Sequence, residues 1–588
     1  MTDRMKYGSD LVVELMKALG IEYVAFNPGS SFRGIHDSLV NYGENNPGIL
    51  LCAHEEISVS IAQGYAVAAG KPMSAITHDL VGLQHASMAI YNAWCDQAPV
   101  LVLGGGGPMD ISRRRPWIEW IHTAQVQGNL VRDFVKWDDQ PCGDLSVVDS
   151  FIRGYRLATS KPCGPVYICL DALWQETELA SPVDISYASK LLKSTPLAPD
   201  PDAIRKVAGW LAQAENPVIV ADRYGPDSKA VDALVELAEL TATPVIDLGK
   251  RFNFPNTHPM DLTGAKDILI PKADLIIFLD LEDPWGYLHR VNDPKEGKVT
   301  PLITPEVKVV DISLRDIATR SWSAAYGKLP NVEINLAADT SLAVPALVEA
   351  CRKAEKGLGE EYRERRREWL EEKRHQMKRE WWEKAASSGG EKPIATEWLA
   401  YTAGEVLKDE DWVLGSGNLR GWPRRLWKWD KPYRWGCESG GAGLGNALGV
   451  AIGTALANTG KGRLCLNFQA DGDFMMTPQA LWTAVKSKIP LLVIMYNNRS
   501  YYNSEDHSNS VAKNRGRSQE TRLIGTAIDE PPVDYAGIAR AFGAYGEGPV
   551  EDPAKLKPAL ERALKAVKTT GLPALVDVVC AKMGRRNR

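Results

Sequence analysis

Short apolar runs alternate with amphipathic segments along most of this chain. Residues 23–26, 49–52, 99–103 and 165–170 are brief apolar runs bounded by glycine, proline or polar residues, which is typical of buried strands. Residues 9–19 instead repeat apolar side chains at helical spacing, and similar segments separate the other runs. Strands that alternate with helices favour parallel sheets covered by helices on both faces. The pattern therefore predicts an α/β fold of doubly wound parallel sheets.

The same pattern divides the 588 residues into three such domains. We expect a first domain over residues 1–185, a central domain over 195–351 and a third domain over 393–582. Residues 352–392 are dense in charge, with acidic and basic side chains often three or four positions apart. That spacing predicts an exposed helical linker that bridges two domains. A basic helix that binds nucleic acid is the alternative, and the interleaved acidic residues argue against it.

The segment from Leu464 to Tyr502 carries the most specific chemistry. A first apolar run ends at a turn-rich sequence over residues 470–473, a helix follows from Pro478 to about Lys488, and a second run covers residues 491–496. Parallel strands joined by a right-handed crossover end at the same edge of a sheet, ~4.8 Å apart. The polar side chains that follow these two strands should therefore lie close together.

Those side chains are Asp471 after the first strand and Asn498 after the second. A carboxylate, an amide oxygen and a loop carbonyl form an oxygen-only set, which suits Mg²⁺ better than zinc or iron. The alternative is that the two residues only cap turns. The polar segment that continues to Pro532 has no core pattern, and we expect it to be a mobile lid.

Further candidate residues lie near the ends of strands in the first domain. Glu55 follows the run at 49–52 and precedes a helix, where a glutamate can also simply complement the helix dipole. His85 precedes a predicted helix over residues 86–94, and His122 lies in an aromatic segment. Each histidine is a candidate for proton transfer, or else a structural residue.

Two spacings in the chain resemble the signature of the thiamine-diphosphate (ThDP) enzymes. Asp471-Gly472 is followed by a strand-helix-strand segment and then by Asn497-Asn498, which resembles the family's metal motif. Glu55 stands nine residues before Gly64-Tyr65-Ala66, which is the family's interval, whereas Glu56 misses it by one. The resemblance therefore implies pyrimidine-binding, central and diphosphate-binding domains, in that order.

Smaller motifs look like two branches of that family. Residues 27–30 and 135–137 look like benzoylformate decarboxylase, and His54-Glu55 looks like acetohydroxyacid synthase. The chain departs from the family pattern at Ala470, where glycine is usual, and at Asp473, where serine or alanine is usual. A second carboxylate beside a diphosphate is unfavourable unless it faces away or binds backbone N–H groups, so the role of Asp473 is open.

The resemblance implies roles for individual residues. Glu55 would hydrogen-bond the pyrimidine ring, Leu444 would be the apolar wedge that bends the cofactor, and the Ala442 carbonyl would accept from the aminopyrimidine. The implied metal ligands are Asp471, Asn498 and the backbone oxygen of Ser500. The other implied cofactor-binding residues are Gly415, Ser416, Asn418, Gly472 and Asp473. The implied substrate-pocket residues are Ser30, Gln84 and Tyr501, with His85 and His122 as the catalytic histidines.

The implied function is a ThDP- and Mg²⁺-dependent 2-keto acid enzyme, which either releases an aldehyde after decarboxylation or joins the acyl unit to a second carbonyl. A flavin-containing oxidase or synthase of the same fold and a non-catalytic ThDP-fold subunit are the alternatives. We expect no FAD, because no G-x-G-x-x-G follows a strand in the central domain. Glu55 and the metal motif lie in different domains, and the family joins these domains between subunits, which implies a homodimer or homotetramer.

Composition excludes several other classes of function. A formal charge of −5 and a pI near 6.1 provide no basic field for nucleic acid. No apolar run approaches the ~20 residues that a membrane span needs, and the N-terminus lacks a signal-peptide core, so we expect a cytoplasmic protein without a membrane partner. Nine cysteines without a C-x-x-C pair predict buried, reduced thiols rather than a disulfide or zinc framework.

Overall fold

The structure is a computed structural model, and it describes residues 5–115, 118–192, 194–225, 228–293, 298–318, 326–354, 357–436 and 440–582. Glu438 and Ser439, which precede the glycine-rich stretch 440–445, lie outside the described residues, as does Cys437. The chain forms two compact units. One combines residues 1–194, 388–420 and 436–585, and the other is centred on residues 195–387 and 421–435.

The first domain is a six-stranded parallel sheet in the order β2-β1-β3-β4-β6-β5. Its strands are β1 (Tyr23–Phe26), β2 (Gly48–Leu51), β3 (Met73–Thr77), β4 (Val100–Gly106), β5 (Asp138–Asp139) and β6 (Val166–Asp171). Its helices are α1 (Gly8–Ala18), α2 (Arg33–Asp37), α3 (Glu55–Ala69), α4 (Asp79–Cys95), α5 (Ile118–Ile121), α6 (Asp144–Thr159) and α7 (Ala172–Gln175).

The central domain is a five-stranded parallel sheet in the order β13-β12-β9-β7-β8, with an antiparallel hairpin of β10 and β11. Its strands are β7 (Pro217–Ala221), β8 (Val245–Asp247), β9 (Leu275–Leu279), β10 (His289–Asp293), β11 (Lys298–Pro301), β12 (Lys308–Ile312) and β13 (Ile334–Leu336). Its helices are α8 (Pro201–Gln213), α9 (Ser228–Thr241), α10 (Lys266–Leu269), α11 (Pro284–Tyr287), α12 (Thr340–Lys353) and α13 (Glu360–Ser387).

The third domain is a five-stranded parallel sheet in the order β14-β15-β16-β18-β17. Its strands are β14 (Trp412–Ser416), β15 (Leu464–Ala470), β16 (Leu492–Asn497), β17 (Tyr545–Val550) and β18 (Ala574–Val579). The helices of this part of the chain are α14 (Thr396–Leu407), α15 (Trp422–Leu426), α16 (Ala447–Ala457), α17 (Asp471–Phe474), α18 (Ala480–Lys486), α19 (Tyr502–Asn514), α20 (Tyr535–Ala541) and α21 (Pro553–Thr570).

The predicted class of three doubly wound parallel-sheet domains is therefore confirmed. Some local elements differ from the prediction. The expected turn at 470–473 is the start of the one-turn helix α17, and α4 begins at Asp79, so Gln84 and His85 lie within a helix. The expected mobile lid contains helix α19. The short polar helix α17 carries no apolar periodicity that a sequence pattern could reveal, and Gly82, Gln84 and His85 interrupt the apolar pattern near the start of α4.

The charged segment that we expected to be a linker packs against the hydrophobic core of the central domain. Leu370 of α13 is buried within the central hydrophobic core. The Arg366 guanidinium donates hydrogen bonds to the backbone oxygens of Ala214 and Thr241. The sequence did not reveal this contact. Ion pairs along the exposed side of α13 give the helix a charge pattern that is typical of a solvent-exposed linker.

Residues 421–435 also belong to the central unit, although the predicted third domain runs through them without a break. The guanidinium of Arg424 lies 2.5 Å from a carboxylate oxygen of Asp247, whose side chain is fully buried. Asn256 donates to the backbone oxygen of Trp427 and accepts from the backbone N–H of Trp429. The ion pair and these hydrogen bonds join two stretches of the chain whose contact no sequence pattern predicts.

Close helix packing joins the first and third domains within their common unit. A Cβ added at Gly64 of α3 would lie 2.0 Å from the backbone oxygen of Val450, and one added at Gly453 of α16 would lie 2.0 Å from that of Ile61. Two glycines therefore let the backbones of α3 and α16 come into contact. The N-terminus of α3, which starts with Glu55, is anchored by this packing.

Among the described residues, no helix is both long and apolar enough to cross a membrane. The eight described cysteines are free thiols, and five of them are buried. Cys142 is exposed, which differs from the expectation of buried thiols. It lies in the loop before α6 and not in an apolar run.

Candidate active site

Glu55 is a buried carboxyl group at the first residue of α3. His54 caps this helix, because its Nδ1 accepts the backbone N–H of Glu56. One carboxyl oxygen of Glu55, Oε2, lies 3.1 Å from Nδ1 of His85, and Nδ2 of Asn27 lies 3.4 Å from the other, Oε1. A Cβ at Gly82 would lie 2.9 Å from Oε1, so a larger residue there would press on the carboxyl group.

His85 reaches from this buried carboxyl group to the surface. Its side chain is 57% exposed, whereas that of Glu55 is 5% exposed. The His85 ring stacks on His54, with centroids 4.7 Å apart and planes 21° apart. Burial lowers the pKa of His54, and the neighbouring His85 lowers it further, so His54 favours its neutral form. The structure therefore places the predicted His85 directly on the predicted Glu55.

A second polar chain connects Ser31, His78 and His122. The Ser31 hydroxyl oxygen lies 2.9 Å from Nδ1 of His78 and accepts the backbone N–H of Asp79. On the other side of the ring, Nε2 of His78 lies 3.2 Å from Nδ1 of His122. Burial, followed by the charge of His122, lowers the pKa of His78. The Ser31 hydroxyl and the two imidazole rings thus form a continuous chain of groups that can exchange protons.

The sequence pointed to only part of this second chain. Of its members, His122 was predicted, whereas His78 and Ser31 were not. Ser30, the neighbour of Ser31, was predicted as a substrate-pocket residue. The available signal was weak: His78 directly follows β3, at the carboxyl edge of the sheet where ligands bind in open α/β sheets. Among the described residues, the Ser30 hydroxyl is buried and has no hydrogen-bond partner, as expected for a group that faces a ligand. Gln84 is exposed on α4.

Asp471 and Asn498 lie together at the ends of the neighbouring parallel strands β15 and β16. Both accept a hydrogen bond from the same donor, the backbone N–H of Ser500, at 3.2 Å for Oδ2 of Asp471 and 3.0 Å for Oδ1 of Asn498. Burial raises the pKa of Asp471 to about 6, against the opposing effect of backbone N–H groups. This set of oxygen donors around a buried carboxylate fits a hard divalent cation.

The neighbouring Asn497 has a different position. Its side-chain nitrogen donates to Oδ1 of Asp577 at 3.0 Å, and its Oδ1 accepts the backbone N–H of Arg499. Asn497 therefore holds β16 against β18, while Asn498 is the residue beside Asp471. The prediction named Asn498 as the ligand, and the geometry is consistent with that choice.

Asp473 binds backbone N–H groups, which is one of the two arrangements that the sequence left open. Its Oδ1 accepts the N–H of Gly445 at 2.8 Å, and its Oδ2 accepts from the Gln469 amide at 2.6 Å. Burial raises its pKa. Burial, followed by the charge of Asp473, also raises the pKa of Glu56 to about 7. Glu56 was not predicted to matter, since it lies one residue away from the family's interval.

The glycine-rich stretch before α16 presents Leu444 and Ala442 at the surface. Oδ1 of Asn92 accepts the backbone N–H groups of Gly441 and Gly443, which fixes the loop. Leu444 is 47% exposed, and Ala442 has a positive φ of 55°. An exposed leucine on a fixed loop can contact an apolar ligand surface, as the wedge prediction requires.

The remaining predicted cofactor residues surround the strand ends of the third sheet. Gly415 and Ser416 form the buried end of β14, and Asn418 follows them. A Cβ at Gly472 would lie 2.7 Å from the ring of Tyr501, so this glycine lets the two segments meet.

Comparison with known proteins identifies the family. Two family models match the chain: the N-terminal TPP binding domain of thiamine pyrophosphate enzymes over residues 6–129, and the C-terminal TPP binding domain over residues 415–578. The acetolactate synthase 3 of Brassica napus and the acetolactate synthase of Arabidopsis thaliana are each 24% identical over 98% of this chain and over 84% and 82% of their own lengths.

Solved structures share the fold along nearly the whole chain. The ThDP-dependent 4-hydroxybenzoylformate decarboxylase of Rhodococcus jostii RHA1 has a TM-score of 0.74, 20% identity, and coverage of 98% of this chain and 99% of its own. The benzoylformate decarboxylase of Polynucleobacter necessarius has a TM-score of 0.75, 20% identity, and coverage of 99% and 100%.

The fold and the two matched domains define the class of protein as one with ThDP-binding domains at both ends of the chain. The chain belongs to the thiamine pyrophosphate enzymes, and its relatives in that family include acetolactate synthases.

Proposed function

We propose that the protein is a ThDP- and Mg²⁺-dependent enzyme that breaks or forms the carbon–carbon bond next to the carbonyl of a 2-keto acid. The observation behind this proposal is that Asp471 and Asn498 lie together, because both accept a hydrogen bond from the backbone N–H of Ser500. The product is either an aldehyde released after decarboxylation or an acyl unit transferred to a second carbonyl. The acetolactate synthases among the relatives support the second outcome.

The metal site is assigned to three oxygen donors. Asp471, Asn498 and the carbonyl of Ser500 would hold Mg²⁺ against the diphosphate, because oxygen ligands of this kind suit a hard cation. When bound, thiamine diphosphate supplies an electron sink for the carbanion formed next to the substrate carbonyl. A cation beside Asp471 would also stabilise its ionised form, which burial alone disfavours.

Proton transfer is assigned to two separate groups of side chains. Glu55 would contact the pyrimidine ring through its carboxyl group, while His85 connects Oε2 of Glu55 to solvent. The chain from His122 through His78 to Ser31 can move a proton at the Ser31 hydroxyl, and we assign it to the substrate. Ser30, Gln84 and Tyr501 are proposed to line the substrate pocket, and Leu444 to orient the cofactor.

We further propose that the enzyme acts in the cytoplasm as a homodimer or homotetramer. The support is the family resemblance, in which the pyrimidine-binding domain of one subunit faces the diphosphate-binding domain of another. Sedimentation of the purified protein tests the oligomeric state directly.

The replacement Glu55→Gln tests the proposed function. We expect this variant to bind ThDP but to lose roughly 10²- to 10⁴-fold in turnover, the usual contribution of a positioned acid–base group. Turnover is measured as carbon dioxide release from pyruvate and from branched and aromatic 2-keto acids, with and without ThDP and Mg²⁺. Glu56→Gln is the matched control, because it removes the neighbouring carboxyl group that does not contact His85 or Asn27.

Undiminished turnover in Glu55→Gln would reject the assignment. Flavin absorbance bands in the purified protein would instead favour the flavin-containing alternative. A wild-type protein that fails to bind ThDP in a titration would favour the non-catalytic subunit.

A further inference from the structure

Glu505 is a buried carboxylate in the first turn of α19, and three side chains donate hydrogen bonds to it. Its Oε2 accepts from the Ser500 hydroxyl at 2.7 Å and from the Lys582 ammonium at 2.6 Å. Its Oε1 lies 3.2 Å from Nε of Arg522. Glu505 is 2% exposed, so its charge would be unfavourable without these partners.

The segment that contains Glu505 is tied to the loop that carries the proposed metal ligands. Ser500 and Ala527 form an antiparallel bridge. The backbone N–H of Tyr501 donates to Thr526, and that of Ile528 donates to Arg499, each at 2.8 Å. Glu505 lies inside the loop that these bonds close, and its bond to Lys582 reaches the chain beyond β18.

Ser500 is the residue through which Glu505 can act. Its backbone N–H donates to both Asp471 and Asn498, and its hydroxyl donates to Glu505. The backbone and the side chain of Ser500 are therefore both held. The Ser500 carbonyl belongs to the next planar peptide group, whose N–H on Tyr501 donates to Thr526. The carbonyl is therefore placed jointly by this bond and by the bonds that hold the Ser500 Cα through its own N–H and hydroxyl.

We propose that Glu505 is a positioning residue for the metal site: by holding the Ser500 hydroxyl, it keeps the Ser500 carbonyl aligned with Asp471 and Asn498 as one set of cation ligands. This inference rests on the proposed function, since it requires a divalent cation at these three residues. Groups that orient metal ligands typically change metal affinity 10- to 100-fold when they are removed. A purely structural ion pair would change the stability of the protein and leave its metal affinity alone.

The test measures the affinity of the full-length protein for Mn²⁺ in the presence of ThDP, by the loss of the free-ion signal in electron paramagnetic resonance. We expect Glu505→Ala to weaken Mn²⁺ binding by roughly 10- to 100-fold. Glu505→Gln should recover part of that loss, because its amide oxygen can still accept from the Ser500 hydroxyl. Urea unfolding of each variant without metal reports stability separately.

Glu551→Gln is the matched control. Glu551 forms an ion pair with Arg499, the residue before Ser500, at 2.6 Å, but its side chain is 61% exposed and the pair does not include Ser500. We expect this variant to bind Mn²⁺ as the wild type does.

The outcomes separate the two proposals. If the wild type binds Mn²⁺ and Glu505→Ala binds it within about twofold of the wild type, well short of the effect of a ligand-orienting group, the positioning role is overturned and the proposed function stands. If the wild type itself does not bind Mn²⁺ with ThDP, the metal site fails and both proposals fall. If Glu505→Ala does not fold, Ser500→Ala decides the question, because it removes the hydroxyl that Glu505 holds and leaves the backbone carbonyl in place. Mn²⁺ affinity within about twofold of the wild type in that variant overturns the positioning role.

Discussion

Nδ1 of His85 lies 3.1 Å from Oε2 of Glu55, although more than half of the histidine side chain is exposed and the glutamate is buried. This contact gives the buried carboxyl group one titratable partner that solvent can reach. The contact therefore links the buried carboxyl group to solvent through a single side chain.

We predict that His85→Gln lowers kcat/KM by roughly 10²-fold, the lower end of the usual contribution of a positioned proton-transfer group. The reason is that glutamine cannot pass a proton between solvent and Glu55. The measurement is the pH profile of kcat/KM for the wild type and the variant, and we expect the two profiles to differ in shape. His375→Gln is the control, because His375 is an exposed histidine that also faces a glutamate, Glu371, in the central unit. A variant with the wild-type pH profile would contradict this role.

We predict that His78→Phe lowers kcat while leaving the affinity for ThDP close to that of the wild type. His78 is the middle member of the chain from His122 to Ser31, so its loss breaks the connection at both ring nitrogens. Steady-state kinetics give kcat and KM, and a fluorescence titration gives the affinity for ThDP. Loss of ThDP binding with unchanged kcat in the bound fraction would argue against proton transfer.

Two carboxyl groups should lower the stability of the protein without cofactor as the pH rises from about 4.5 to about 7. Burial raises the pKa of Glu56 to about 7 and that of Asp577 to about 6, so the folded state binds these protons more tightly than the unfolded state. Stability then decreases as these groups ionise and levels off above the folded-state pKa. Urea unfolding at a series of pH values measures the slope. Glu56→Gln should reduce the slope between pH 5 and 7, and an unchanged slope would show that Glu56 does not contribute.

Gly64→Ala should destabilise the protein by about 1–3 kcal/mol or more, because its Cβ would meet the backbone of Val450 and force α3 away from α16. Gly209→Ala is the matched control, since Gly209 also lies within a helix but has open space around it. The control should be neutral or slightly stabilising, because alanine favours the helix more than glycine does. Thermal unfolding of both variants measures the difference. Equal effects would mean that α3 and α16 do not depend on this close approach.

The fold and the family could be predicted because apolar runs and motif spacings can be read from a single sequence. Brief apolar runs marked strands of the first and third sheets, and the predictions of the fold class and of the family are confirmed. The same reasoning brought Asp471 and Asn498 to neighbouring strand ends, where the structure places them. Their role as metal ligands, like the role of Glu55, stays a prediction.

The rest of the site depends on contacts that no local pattern records. His78 and Glu505 are single polar residues whose partners come from distant segments, His122 and Lys582 among them. The packing of α13 against the central domain depends on an arginine, Arg366, that donates to backbone oxygens. In the sequence, an arginine that makes such a contact cannot be told apart from one that faces water. Such residues could be found only once the folded chain had brought their partners together.

The arginine that neutralises Asp247 comes 177 positions later in the chain. The central unit is therefore not formed by one continuous stretch of the chain. A fragment that covers residues 195–387 alone would lack Arg424 and the tryptophans that bind Asn256, and would leave a buried carboxylate without its cation. Any attempt to transplant this domain between relatives has to carry both pieces of sequence together.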